Sequence, residues 1–143
     1  MGENVKLIVA GSRHFKLSVC YEQIHLALQK FGLTNRITEV IEGGCHTGVD
    51  KAAQKYFTAT GYEVKTIYAD WSLGKSAGPI RNREMAEYGD ELLLIWNGTS
   101  RGSASMRKCM ESLNKPIHEV VLKGYPRQSP ERAREWCKRY EQG

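Results

Sequence analysis

Apolar positions fall into short runs and helical stripes that alternate along the chain. Residues 5–10 are apolar but for Lys6 and stop at Gly11, which predicts a buried strand. Over 18–31, Val19, Ile24, Ala27, Leu28 and Phe31 recur at helical spacing, with Ser18 placed to cap the start and Gly32 to close the end. Residues 36–41 are rich in β-branched side chains and predict a second strand. Val49, Ala52, Ala53, Tyr56 and Phe57 share one face of a following helix, which Gly61 ends. A third strand is expected over 62–68 and a helix over 79–88. Residues 91–96 form the most apolar run and predict a central, fully buried fourth strand. A helix to about Leu113 leads to Lys115-Pro116 and a fifth strand over 117–122. The polar, charged stretch 129–142 predicts a tail helix that docks through Trp136 and Tyr140 on the body or on a second subunit.

Strands alternate with helices and no hairpin signal intervenes. The pattern therefore predicts an α/β, Rossmann-like three-layer sandwich with a mostly parallel five-stranded sheet. One domain is expected over 1–124, with a helical tail over 125–143. The 143 residues suit a single core, and 41% hydrophobic with 26% charged residues is ordinary globular composition. The net charge of +5 favours an anionic partner without a nucleic-acid-like basic arm. No apolar run reaches membrane-spanning length and the N-terminus has no signal-peptide pattern, so a cytoplasmic protein with no membrane partner is expected. Cys20, Cys45, Cys109 and Cys137 are widely spaced, without C-x-x-C, which argues against zinc sites and disulfide frameworks. Neither a metal nor a cofactor is expected.

In a parallel sheet, ligands bind beyond the carboxyl ends of the strands. The loops there carry Gly11, Ser12 and Arg13 after the first strand, and Gly43, Gly44, Thr47 and Gly48 after the second. Asp70, Trp71, Gly74, Lys75, Arg81 and Asn82 follow the third, and Asn97, Gly98, Thr99, Ser100, Arg101, Gly102 and Ser103 the fourth. All four combine glycine with hydroxyl, cationic or amide side chains. At least two feed a helix N-terminus, where unpaired N–H groups and the helix dipole favour phosphate. The stretch 74–85 concentrates Lys75, Arg81 and Arg83 at a helix start marked by Pro79, where cations oppose the dipole unless an anion sits among them. Neither G-x-x-x-x-G-K-[ST] nor G-x-G-x-x-G is present, which argues against P-loop NTPases and standard NAD dehydrogenases.

Gly11-Ser12-Arg13, Gly43-Gly44 with Gly48-Val49-Asp50, Asp70-Trp71 with Gly74 through Met85, and Ser100-Arg101-Gly102 together resemble the YspA/YpsA-related branch of the SLOG superfamily. The resemblance covers about residues 5–122. It implies a Rossmann-like fold and nucleotide-derived ligands of the NAD and ADP-ribose class. The superfamily includes the DNA-processing protein A domain and the LOG phosphoribohydrolases. The LOG motif G-G-x-G-T-x-x-E ends in a catalytic glutamate, whereas Asp50 follows Cys45-His46-Thr47 here and no matching glutamate is present. The DNA-processing domain shares Gly-Ser-Arg, Gly-x-Asp and Arg-Asn-Arg with this chain.

The expectation is a homo-oligomeric binder of a small phosphorylated nucleotide derivative, acting as a sensor or a sequestering protein. Gly43, Gly44, Gly48 and the 100–103 loop would supply backbone donors. Arg13, Lys75, Arg81 and Arg101 would supply charge, and Asp70 and Trp71 would orient ribose and base. Trp71 could instead pack in the core, Asn82 clamp a loop, and Asp50 serve local bonding at a helix start. Cys45-His46 is a poor nucleophile–base pair, because adjacent side chains diverge and no orienting third group is evident. The alternatives are a hydrolase of N-glycosidic or phosphate bonds and a single-stranded DNA binder, the latter disfavoured by one visible stacking aromatic.

Overall fold

A computed structural model describes residues 4–123. The predicted tail helix lies outside the described residues. Ten elements follow one another as β1 (Val5–Gly11), α1 (Leu17–Lys30), β2 (Ile37–Glu42), α2 (Gly48–Ala59), β3 (Val64–Thr66), a short 3-10 turn (Trp71–Ser76), α3 (Ala77–Tyr88), β4 (Glu91–Trp96), α4 (Arg101–Ser112) and β5 (Ile117–Val121). The strands form one five-stranded sheet in the order β3-β2-β1-β4-β5, parallel at every pairing.

Each strand separates the two cores by its two-residue alternation. Leu7 and Val9 of β1 and Leu93 and Ile95 of β4 face Cys20, Ile24, Ala27 and Leu28 of α1 and Val49, Ala52, Ala53 and Phe57 of α2. Ile8 and Ala10, with Leu92, Leu94 and Trp96, face Met85 and Ala86 of α3 and Met106 and Met110 of α4. The result is the predicted three-layer α/β sandwich.

Several boundaries differ from expectation for local reasons. The first helix begins at Leu17, with Lys16 in the cap position, so exposed Ser18 lies inside the first turn. The third strand shortens to Val64–Thr66, because it is an edge strand that pairs only with β2 and none of its residues is fully buried. The fourth strand keeps its predicted bounds and all six residues are buried, yet β1 is the middle of the sheet. Pro79 is the third residue of α3, still within the turn whose N–H groups lack helical partners.

One ammonium ties the end of α3 to the start of β5. Lys115 Nζ donates to the carbonyls of Ala86 at 2.7 Å, Glu87 at 3.1 Å and Gly89 at 2.7 Å. A cation is favoured there by the helix dipole as well as by the orphan carbonyls. At the opposite edge of the sheet from the candidate site, buried Glu91 holds both Arg36 and, at 2.7 Å, His118 Nε2.

Candidate functional site

The chain leaves β1 toward β2 and β3, then returns to the other side of β1 for β4 and β5. The strand order thus reverses between β1 and β4, the position at which open α/β sheets form a crevice. A cleft of about 550 Å³ opens at the carboxyl edge there. Ala10, Gly11 and Arg13 line it from β1, and Gly43 to His46 and Asp50 from the β2 side. Tyr68, Ala69 and Trp71 contribute after β3, Arg81, Asn82 and Met85 from α3, and Ser100, Gly102, Ser103 and Met106 from the α4 side.

Close backbone approaches build its walls. The Ser12 N–H donates to the Ile95 carbonyl at 3.1 Å, so β1 and β4 stay paired to the cleft's edge. A β-carbon on Gly11 would stand 1.8 Å from that same oxygen. The Ser12 carbonyl in turn accepts from Val49 N at 3.2 Å, and Gly48, at φ 66°, lies against the Arg13 backbone. The start of α2 is therefore fastened to the first loop. On the other side, Asn97 Oδ1 accepts from Thr99 N at 2.9 Å and Ser100 N at 3.1 Å, turning the chain into α4.

Arg81 and Asn82 bridge the loops. Arg81 Nη1 donates to the Gly43 carbonyl at 2.5 Å and its Nε to Asn82 Oδ1 at 3.1 Å, using two of five guanidinium donors. Buried Asn82 donates through Nδ2 to the Gly102 carbonyl at 3.3 Å and Ser105 Oγ at 3.2 Å. A single side-chain pair thereby joins the β2 loop to the first turn of α4.

Two carboxyl groups lie beneath the β2 loop. Buried Glu42 accepts from Gly44 N at 2.6 Å and from Thr66 Oγ1. Asp50 Oδ2 accepts from Cys45 N at 3.2 Å. Asp50 is half-buried as a residue, but its carboxyl end is enclosed. Burial, and then the neighbouring Glu42 charge, push its pKa up from 3.8 to about 7, against the opposing pull of the Cys45 N–H, Arg81 and Arg13.

Two buried hydroxyls, Ser12 Oγ and Ser103 Oγ, have no hydrogen-bond partner among the described residues. Ser103 is 4% exposed and is the third residue of α4, where backbone N–H groups also lack helical acceptors. An unmade bond of this kind costs about 1–3 kcal/mol. No acidic side chain occupies the first turn of α4. Ser100, Gly102 and Ser103, at the start of α4, line this end of the cleft.

Of the residues expected at the site, Gly11, Arg13, Gly43, Gly44, Trp71, Arg81, Asn82, Ser100, Gly102 and Ser103 line the cleft together. Ser12, Thr47, Gly48 and Asn97 stand behind it as loop structure. Lys75 and Arg101 are exposed and outside the lining. Asp70 also lies outside it, where Oδ1 accepts from Ser72 N at 3.1 Å and Ser72 Oγ at 2.6 Å to cap the 3-10 turn. Trp71 is 69% exposed, so core packing is not its role, while Asn82 does clamp loops. The Cys45 thiol lies 3.6 Å from Thr47 Oγ1 and is engaged there rather than with His46. The sequence pattern places Tyr68 inside the third strand and so gives no signal for a site role; β3 ends at Thr66, which leaves Tyr68 on the cleft. Among the described residues no cluster of three or more His, Cys, Asp or Glu could hold a metal, and no helix is long and apolar enough to cross a membrane. No protein-family model and no curated protein matches the chain.

Proposed function

We propose that the chain binds a small phosphorylated, nucleotide-derived ligand in this cleft, as a sensor or sequestering protein of such a signal. The observation that carries the reading is the unpartnered Ser103 hydroxyl, buried at the N-terminus of α4 and lining the same cleft as Arg13 and Arg81. A phosphate there would satisfy the hydroxyl, meet the unpaired N–H groups and gain from the helix dipole. The position at the reversal of strand order and the resemblance to the SLOG superfamily support the same reading. Calorimetry against ADP-ribose, NAD, cyclic nucleotides and mononucleotides tests it. Micromolar binding of at least one is expected, and no affinity better than millimolar across the panel would refute it.

Asp50 favours a second reading, hydrolysis of an N-glycosidic bond. A carboxyl with a pKa near 7 is suited to give a proton to a departing base while water adds to the sugar carbon. Full recovery of intact ligand after prolonged incubation and heat release would exclude turnover and leave binding.

A further inference from the structure

We infer that Tyr68 and Trp71 form a subsite for an aromatic base at the β3 end of the cleft, and that the ligand is a nucleoside carrying a diphosphate. This rests on the anion-binding reading of the α4 end.

Both rings line the cleft, and they are 71% and 69% exposed. Tyr68 is nevertheless seated. A β-carbon at Gly44 would fall 2.6 Å from both Cδ1 and Cε1 of Tyr68, so the ring occupies the space that the missing side chain leaves. The outer edge of the Trp71 indole, Cη2, lies 4.0 Å from the β-carbon position of Gly78, in the first turn of α3. Tyr68 thus abuts glycine backbone and Trp71 stands over Gly78, while much of both surfaces stays in water. Aromatic rings bury roughly 150–250 Å² when covered, so two left open on one cleft are a favourable platform for a flat apolar group. A nucleobase suits it, since stacking on aromatic side chains needs no particular hydrogen-bond pattern.

The sheet sets the ligand's length. The strands that carry Tyr68 and Ser103 into the cleft, β3 and β4, are separated by β2 and β1, three inter-strand spacings or about 14 Å. A nucleoside monophosphate has only one ribose between its base and its phosphate and is too short to engage both ends. A second phosphate supplies the reach. The cations stand where that linkage would pass: Arg81 is fixed at the end of β2 through the Gly43 carbonyl, and Arg13 follows β1. The order from β3 to β4 is therefore rings, two guanidinium groups and a helix N-terminus, which matches a base at one end, a terminal phosphate at the other and a charged linkage between them.

Calorimetry with ADP, AMP, ribose 5-phosphate and inorganic pyrophosphate tests the assignment on the full chain and on Trp71→Ala, Tyr68→Ala and Trp71→Phe, each checked for folding by circular dichroism. ADP should bind about ten-fold or more tighter than AMP. Each alanine variant should lose about ten-fold in ADP affinity, the scale of one base stack, with pyrophosphate binding unchanged. Trp71→Phe, which keeps a ring, should stay within a few-fold of the parent. Wild-type ADP affinity in both alanine variants, with pyrophosphate still bound, would overturn the base subsite and leave the anion site standing. Equal affinity for AMP and ADP would overturn the diphosphate assignment. Failure of every probe, pyrophosphate included, would overturn the anion site and this inference with it.

Discussion

Asp50→Asn should stabilise the protein at alkaline pH and do nothing at acid pH. The folded protein holds the Asp50 proton with a pKa of about 7, against 3.8 for an ordinary aspartate. Below both values the carboxyl is neutral in folded and unfolded chains and costs nothing. Between them the unfolded chain ionises while the folded one keeps its proton, so stability falls as pH rises. Above about 7 both are ionised and the penalty is complete. A displacement of about three pKa units corresponds to up to roughly 4 kcal/mol. Asparagine is a permanent stand-in for the neutral acid, and its Oδ1 can still accept from the Cys45 N–H. Urea unfolding at intervals from pH 3 to pH 8.5 should give a variant-minus-parent difference near zero at the acid end. That difference should climb between about pH 4 and pH 7 and level off with the variant more stable by as much as roughly 4 kcal/mol. A pH-independent difference, or a variant less stable at pH 8, would show that Asp50 is not held in its neutral form by enclosure and Glu42.

Ser103→Ala deletes a buried hydroxyl that has no partner, so the apo protein should gain about 1 kcal/mol in denaturant unfolding while pyrophosphate affinity drops several-fold. Parallel losses in both would make the hydroxyl a structural group. Lys115→Met removes the shared donor of three carbonyls and should lower stability by roughly 2 kcal/mol, read as a shift in urea midpoint at constant slope. Gly11→Ala drives a methyl into the Ile95 carbonyl and should cost at least about 4 kcal/mol or abolish cooperative melting; a normally stable variant would mean that β1 and β4 can separate locally without loss of the fold.

The fold was legible because its core elements state themselves twice, in composition and in period. The apolar run Glu91–Trp96 is buried at every position, and the stripe Val49, Ala52, Ala53 and Phe57 is the buried face of α2. Edges read less clearly. Residues 62–68 alternate like a strand, but only three pair, since an edge strand meets hydrogen-bond demand on one side alone and its bounds depend on its partner. At the site, residue types placed the four loops on one edge because parallel strands send all their carboxyl ends the same way. What they could not convey was which polar groups spend themselves on the protein. Asn97, Asp70 and Asn82 are fully plausible ligand contacts by type, yet each holds a turn or a loop. The rise in the Asp50 pKa was likewise unreadable, because it arises from enclosure and from Glu42, which lies eight positions away and approaches only through the turn between β2 and α2.

The place of β1 in the middle of the sheet has a consequence for the order of assembly. Its pairing with β2 joins near neighbours in the chain, but its pairing with β4 joins Leu7 to Glu91, and adjacent Lys6 N bonds Asp90 across a separation of 84 residues. The entropy of closing so long a loop grows only slowly with length, so final stability suffers little, but long-range parallel pairing delays folding. During synthesis, β1, β2 and β3 emerge with their glycine-rich loops well before α4 exists. Half the sheet can form with one flank of β1 still unpaired. Docking of β4 both covers that flank and delivers the α4 N-terminus across from Arg13, so the cleft is completed by the most distant pairing of the central strand. A ligand that needs both ends of it can lock the finished molecule but cannot template the first half.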